Sequence, residues 1–131
     1  MFMPDQPPLN SGQMCAFAAT TNPDRAKAFY RDQLGLTLVR EELPFALVFD
    51  VNGIMLRVQV VRELKPAGYT VLGWNVPDIE ATAKRLEQAG VKLEHFDGVP
   101  QDELGIWTAP SGAKVAWFKD PEGNILSIAQ H

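Results

Sequence analysis

Arg57 stands in "IMLRVQVV", a run that is apolar apart from Arg57 itself and Gln59. Strand alternation puts Met55, Arg57 and Gln59 on one face and Ile54, Leu56 and Val58 on the other. The second set suits burial beneath a helix, which turns the first set toward a cleft. A guanidinium in a half-enclosed cleft pairs with a carboxylate or phosphonate, often through two parallel hydrogen bonds. The same pattern fits an arginine that snorkels to water or pairs with an acid of its own chain.

Other reactive side chains are few. Cys15 is the single cysteine, and neither His95 nor His131 falls near it in the pattern. A catalytic thiol needs a neighbouring cation or base, which only Arg57 offers; otherwise Cys15 is a small buried residue. Ser127 has no visible triad partners and suits a packed strand serine or a hydroxyl that hydrogen-bonds a ligand. His95 ends the segment "VKLEH" and reads as a loop histidine or a base at a cleft mouth. Asn75 shares strand parity with Val71 and supplies a hydrogen-bonding group. Trp74, Trp107, Trp117, Phe17 and Phe45 lie on predicted strands, with Phe17 on the Cys15 face; such aromatics serve a core, an interface or the wall of a pocket for a flat ligand.

The elements that position these groups follow a repeating order. "QMCAFAAT" reads as a strand and "TNPDRAKAFYRDQLGL" as a helix, capped by Asn22, opened by Pro23 and ended by Gly35. Ala26, Phe29, Tyr30 and Leu34 share its buried face. "LTLVREE", "FALVFDV" and "IMLRVQVV" are strands, the last two joined by an Asn52-Gly53 turn. "YTVLGWNV" then starts the pattern again. A helix follows over "PDIEATAKRLEQAG", with Ile79, Ala83 and Leu86 inward. "VKLEHF", "LGIWTAP", "KVAWFKD" and "NILSIAQ" are expected strands, and "DPEG" is a turn. "FDVNGIMLRV" overlays "KDPEGNILSI", setting Gly53 against Gly123 and Arg57 against Ser127.

Length and charge set bounds. The 131 residues suit one domain, and 46% hydrophobic with 21% charged residues is the balance of a globular protein. Net charge is −4 and no basic cluster occurs, which argues against nucleic acid as a partner. A lone cysteine fits a reducing cytoplasm. Residues 1–12 have no signal-peptide pattern and read as an N-terminal arm, and no run is long enough to span a membrane. The remaining 13–131 form one domain of two modules, about 13–62 and 69–131.

The repeat, with "AFYRDQLGLTLV" in one half and "VAWFKDPEGNILSIAQ" in the other, resembles the vicinal oxygen chelate superfamily of glyoxalases, bleomycin-resistance proteins and extradiol dioxygenases. The resemblance implies an α+β fold: two βαβββ modules forming a curved mixed sheet, helices outside, commonly as a homodimer. Metal-using members hold their ion with side chains from the first and last strand of each module. Carried over, those positions are Cys15, Arg57, Val71 and Ser127. None is His, Asp or Glu, so no metal cofactor is expected and Ser127 marks a lost ligand.

The resulting expectation is a small-molecule binder of the bleomycin-resistance type for an amphipathic ligand, with Cys15, Phe17, Arg57, Gln59, Val71, Asn75 and Ser127 lining the cleft. The alternatives are a metal-dependent glyoxalase- or dioxygenase-like enzyme with a non-standard site, involving His95 or Asp97 with Gln59, and a dimeric structural module without ligand.

Overall fold

The computed structural model describes residues 7–131. The first module runs β1 (Cys15–Thr20), α1 (Pro23–Lys27) continued by a π-helical segment (Ala28–Gln33), β2 (Thr37–Glu42), β3 (Ala46–Val51) and β4 (Ile54–Val60). The second runs β5 (Thr70–Asn75), α2 (Ile79–Gln88), β6 (Trp107–Thr108), β7 (Lys114–Lys119) and β8 (Ile125–Gln130). Each module is a four-stranded mixed sheet, ordered β1-β4-β3-β2 and β5-β8-β7-β6. In both, the last strand pairs parallel with the first and antiparallel with the third. The protein is thus an α+β fold of two βαβββ modules, its curved sheet divided into two halves.

Local signals account for the helix ends and the hairpin. The Asn22 side chain accepts the Arg25 N–H at 3.1 Å, and Asp78 accepts the Ala81 N–H at 3.1 Å. Gly35 and Gly90, at φ +76° and +85°, take the left-handed conformation that ends each helix. Asn52 and Gly53 are both at positive φ, as a two-residue hairpin turn requires.

Two expected strands are not continuous. In "VKLEHF" only Leu93 bridges to Phe118, and "LGIWTAP" contracts to Trp107–Thr108. Side chains take over the backbone hydrogen bonds there. Gln101 accepts the Phe96 N–H at 2.8 Å and donates to the Glu94 and Gly105 carbonyls. Asp102 Oδ1 accepts the N–H groups of Leu104 and Ile106. Such local bonds compete with a ladder. Of the expected N-terminal arm, residues 1–6 lie outside the described residues. Residues 7–12 are exposed, with a turn closed by Gly12 N–H to the Leu9 carbonyl at 3.1 Å.

The helix side of both sheets feeds one hydrophobic core. Phe29, Tyr30, Phe49, Leu56 and Val58 from the first module join Ile79, Ala83, Phe118, Leu126 and Ile128 from the second. A polar latch fastens the modules at the turn after β7. Buried Asp120 accepts the Tyr30 hydroxyl at 2.7 Å, and Glu122 accepts bonds from Thr20, Thr21 and Arg25. Asn124 reaches back to the Ala19 carbonyl at 3.3 Å. With the helix sides joined in this way, the opposite face of each sheet is left uncovered.

Candidate functional site

The open face of the first sheet can be read from strand register. Residues directly opposite in neighbouring strands point to the same side. One row across β2, β3, β4 and β1 is Arg40, Val48, Arg57, Phe17. The next is Glu42, Ala46, Gln59, Ala19, and on the other side lie Asp50, Met55 and Cys15. Leu56 and Val58 are buried on the core side, as alternation predicts; Ile54, at the turn end of β4, is exposed.

Arg57 is paired within the chain. Its Nη1 donates to Glu42 Oε1 at 2.6 Å, while Arg40 Nε donates to Glu42 Oε2. One carboxylate therefore bridges two guanidiniums. Hydrogen bonds from Arg40 and then Arg57 hold the Glu42 carboxyl below the usual carboxylate range. Beneath the three side chains, Val48 and Ala46 have almost no exposure, whereas Phe17 in the same row is 49% exposed.

Arg40 and Glu42 were absent from the sequence expectation for a physical reason. Leu38 lies opposite Phe49 on the core side, and simple alternation sends Arg40 the same way. A bulge between Leu38 and Arg40 reverses the parity, so that Arg40 lies opposite Val48 on the open face. Glu41 then points back toward the helix and pairs with Lys27 at 2.7 Å.

The open face of the second sheet is aromatic. Gly73, Ser127 and Trp117 form one row, and Asn75, Ala129, Val115 and Trp107 the next. Trp117 lies 6.1 Å from Trp107 and 5.7 Å from Phe96 between ring centroids. Gly73 lets the Ser127 side chain approach closely: an added Cβ would stand 2.8 Å from Ser127 Oγ. Trp74 faces the core side and stacks on Phe118. Phe96, expected at the end of the strand "VKLEHF", instead lies in the loop that follows Leu93 and reaches this group as the loop folds back.

The seven expected cleft residues do not meet in one cavity of the single chain. Phe17, Gln59 and Val71 line a recess of about 290 Å³ at the junction of β1 and β5, under the linker residues Leu64 and Lys65. Cys15 is exposed and borders an open hollow of about 370 Å³ with Met55, Asp50 and Arg40. Asn75 lies at the end of a groove of about 400 Å³ with Ala16, Leu72 and Trp74. Arg57 and Ser127 occupy equivalent rows of the two sheets, opposite Phe17 and Gly73 respectively.

The donor chemistry does not fit a divalent ion at the strand positions carried over from metal-using relatives. They hold a thiol, an alkyl group, a guanidinium and a hydroxyl, and the guanidinium is already bound to a carboxylate. Among the described residues, no three His, Cys, Asp or Glu side chains come together.

This two-module scaffold agrees with comparison to known proteins. The family model of the Glyoxalase/Bleomycin resistance protein/Dioxygenase superfamily matches residues 14–128, and the chain belongs to that superfamily. Among solved structures, it is similar to a lactoylglutathione lyase from Agrobacterium tumefaciens, at 21% identity and a TM-score of 0.71, covering 95% of this chain and 96% of that one. It is also similar to TioX from Micromonospora sp. ML1, at 22% identity and a TM-score of 0.68, covering 91% and 98%. A glyoxalase/bleomycin resistance protein from Catenulispora acidiphila gives 20% identity and a TM-score of 0.68, covering 91% and 97%. At such identities the likeness establishes the fold alone. No curated protein matches the chain.

Proposed function

We propose that this protein binds a small amphipathic molecule, without a metal, on the open faces of its sheets, and does so as a cytoplasmic homodimer. The observation that carries the reading is the chemistry of the first sheet's open face. An exposed phenyl ring, Phe17, sits opposite Arg57, the residue at a position where the resemblance to metal-using members implies an ion ligand. An aromatic ring and a guanidinium suit a ligand with a flat apolar body and a polar end. The Trp107–Trp117–Phe96 cluster on the second sheet offers a second apolar wall.

The homodimer is supported by apolar exposure on the first sheet. Phe17 and Val39 on its strands and Met14 and Phe45 just before β1 and β3 are each about half exposed or more. A second copy covering this face removes that apolar surface from water and closes a cleft over it. No described helix is long and apolar enough to cross a membrane.

Native mass spectrometry on protein purified without added metal or chelator tests the reading. The expected result is a metal-free dimer, with thermal stability that rises when an aromatic ligand is supplied. Stoichiometric metal, with stability lost on chelation, refutes it and favours a metalloenzyme.

A further inference from the structure

We infer that Arg40 and Arg57 form a clamp for a small oxyanion, a carboxylate or phosphonate on the ligand, and that Glu42 is its built-in competitor. This deepens the proposed binding function and rests on it. Three observations carry the inference.

The first is stoichiometry. Two guanidiniums share one carboxylate, each giving it a single hydrogen bond. A guanidinium has five N–H donors. The remaining donors of Arg40 and Arg57 have no protein acceptor among the described residues. The three groups carry one net positive charge, and Asp50 in the adjacent row balances it without an ion pair to either guanidinium.

The second is geometry. Glu42 spans the two arginines with one oxygen to each, so it fills the gap where a bridging carboxylate or phosphonate would sit. Val48 separates Arg40 from Arg57 in one row, and both guanidiniums converge on Glu42 above it. The third is position. Arg57 lies directly opposite the exposed Phe17, so an arene resting on that ring carries its anionic substituent to the clamp. Glu42 is about one-third exposed and stands at the end of β2, before the exposed Leu43 and Phe45. In the proposed exchange a bound oxyanion takes over both of its guanidinium hydrogen bonds and Glu42 turns to solvent.

A competitor and a helper predict opposite results. The dimeric protein is titrated with benzoate, with phenylphosphonate and with the neutral benzyl alcohol. Binding is followed by NMR through the arginine Nε–H and tryptophan indole resonances of wild type, Glu42→Gln, Arg57→Gln and Arg40→Gln. Both anions are expected to move the Arg40 and Arg57 signals. Glu42→Gln tightens anion binding about tenfold, and either arginine variant weakens it about tenfold or more. Benzyl alcohol binds alike to all four proteins. A preference for one anion identifies the oxyanion type within the same clamp. Unchanged or weaker anion binding in Glu42→Gln overturns the competitor role. Equal binding of neutral and anionic probes, insensitive to both arginines, overturns the clamp while leaving the binding function standing. Silence of every resonance with all three probes, in wild type and Glu42→Gln, overturns both. Thermal unfolding of each variant establishes that it is folded. If one arginine variant does not fold, the other carries the test.

Discussion

Glu122 shows how much one side chain can be asked to hold. Burial alone pushes its carboxyl up, but the Thr21 N–H, the Arg25 guanidinium and the Thr20 and Thr21 hydroxyls together pull it down to about 2. A folded-state value below the ordinary 4.5 gives stability that is present above about pH 5 and is lost as pH falls toward 2. Replacing Glu122 with Gln removes a charge-assisted contact between the modules and is expected to cost about 1.5–3 kcal/mol at neutral pH. Urea unfolding measured from pH 7 to pH 3 checks this. The gap between wild type and variant should narrow toward acid, and a constant gap contradicts the assignment. In the second sheet, Gly73 and Ser127 are coupled by contact. Gly73→Ala forces its methyl against Ser127 Oγ and is expected to destabilise by about 1–3 kcal/mol. Adding Ser127→Ala should recover most of that loss, whereas simple additivity in the double-mutant cycle would mean that the hydroxyl is not the obstacle.

Elements differ in what holds them. α1 and α2 are bounded by capping side chains and left-handed glycines, all local to the helix ends. The segment between α2 and β7 has no such support. It is organised by Gln101, whose amide serves three backbone groups, and by Asp102. Gln101→Ala leaves Phe96 N–H and the Glu94 and Gly105 carbonyls without this partner. Faster amide exchange confined to about 94–106 is the expected outcome, at a global cost of about 1–3 kcal/mol. Protection unchanged at Phe96 would show that the loop is held by packing. The bulge in β2 decides more than local shape, because it places Arg40 beside Glu42 and not beneath the helix. The repeat is clearest here too: β4 and β8 lie parallel to β1 and β5, and bring Arg57 and Ser127 to equivalent rows.

For the whole molecule, the shared core and the open sheet faces are two sides of one arrangement. Each module packs its helix on its own sheet, and the two packings merge into one core. What stays outside is Phe17, Cys15 and the arginine clamp on one sheet, and the tryptophan shelf on the other. In the proposed dimer, sedimentation should report twice the 14.5 kDa chain mass. Phe17→Asp puts a charge into the apolar face that the second copy is expected to cover, and should raise the dimer dissociation constant about tenfold or more. A wild-type monomer at tens of micromolar would sink the dimer, since it would leave the apolar face of the first sheet in water.

By itself the sequence determined the two-module α+β plan, both helices, the Asn52-Gly53 turn and the placing of Arg57 and Phe17 on the face away from the helix. These follow from signals a few residues apart: caps, glycines at positive φ, and alternation within one strand. Alternation also anticipated that Arg57 either takes an anion or pairs with an acid of the chain. Only the tertiary structure decided that the acid is Glu42, that Arg40 shares it, and that Phe96 meets Trp117. Each of those contacts depends on strand register across the sheet or on a loop folding back. A single inserted residue in β2 moved Arg40 to the other face, and no local pattern in "LTLVREE" encodes on which residue such a bulge falls.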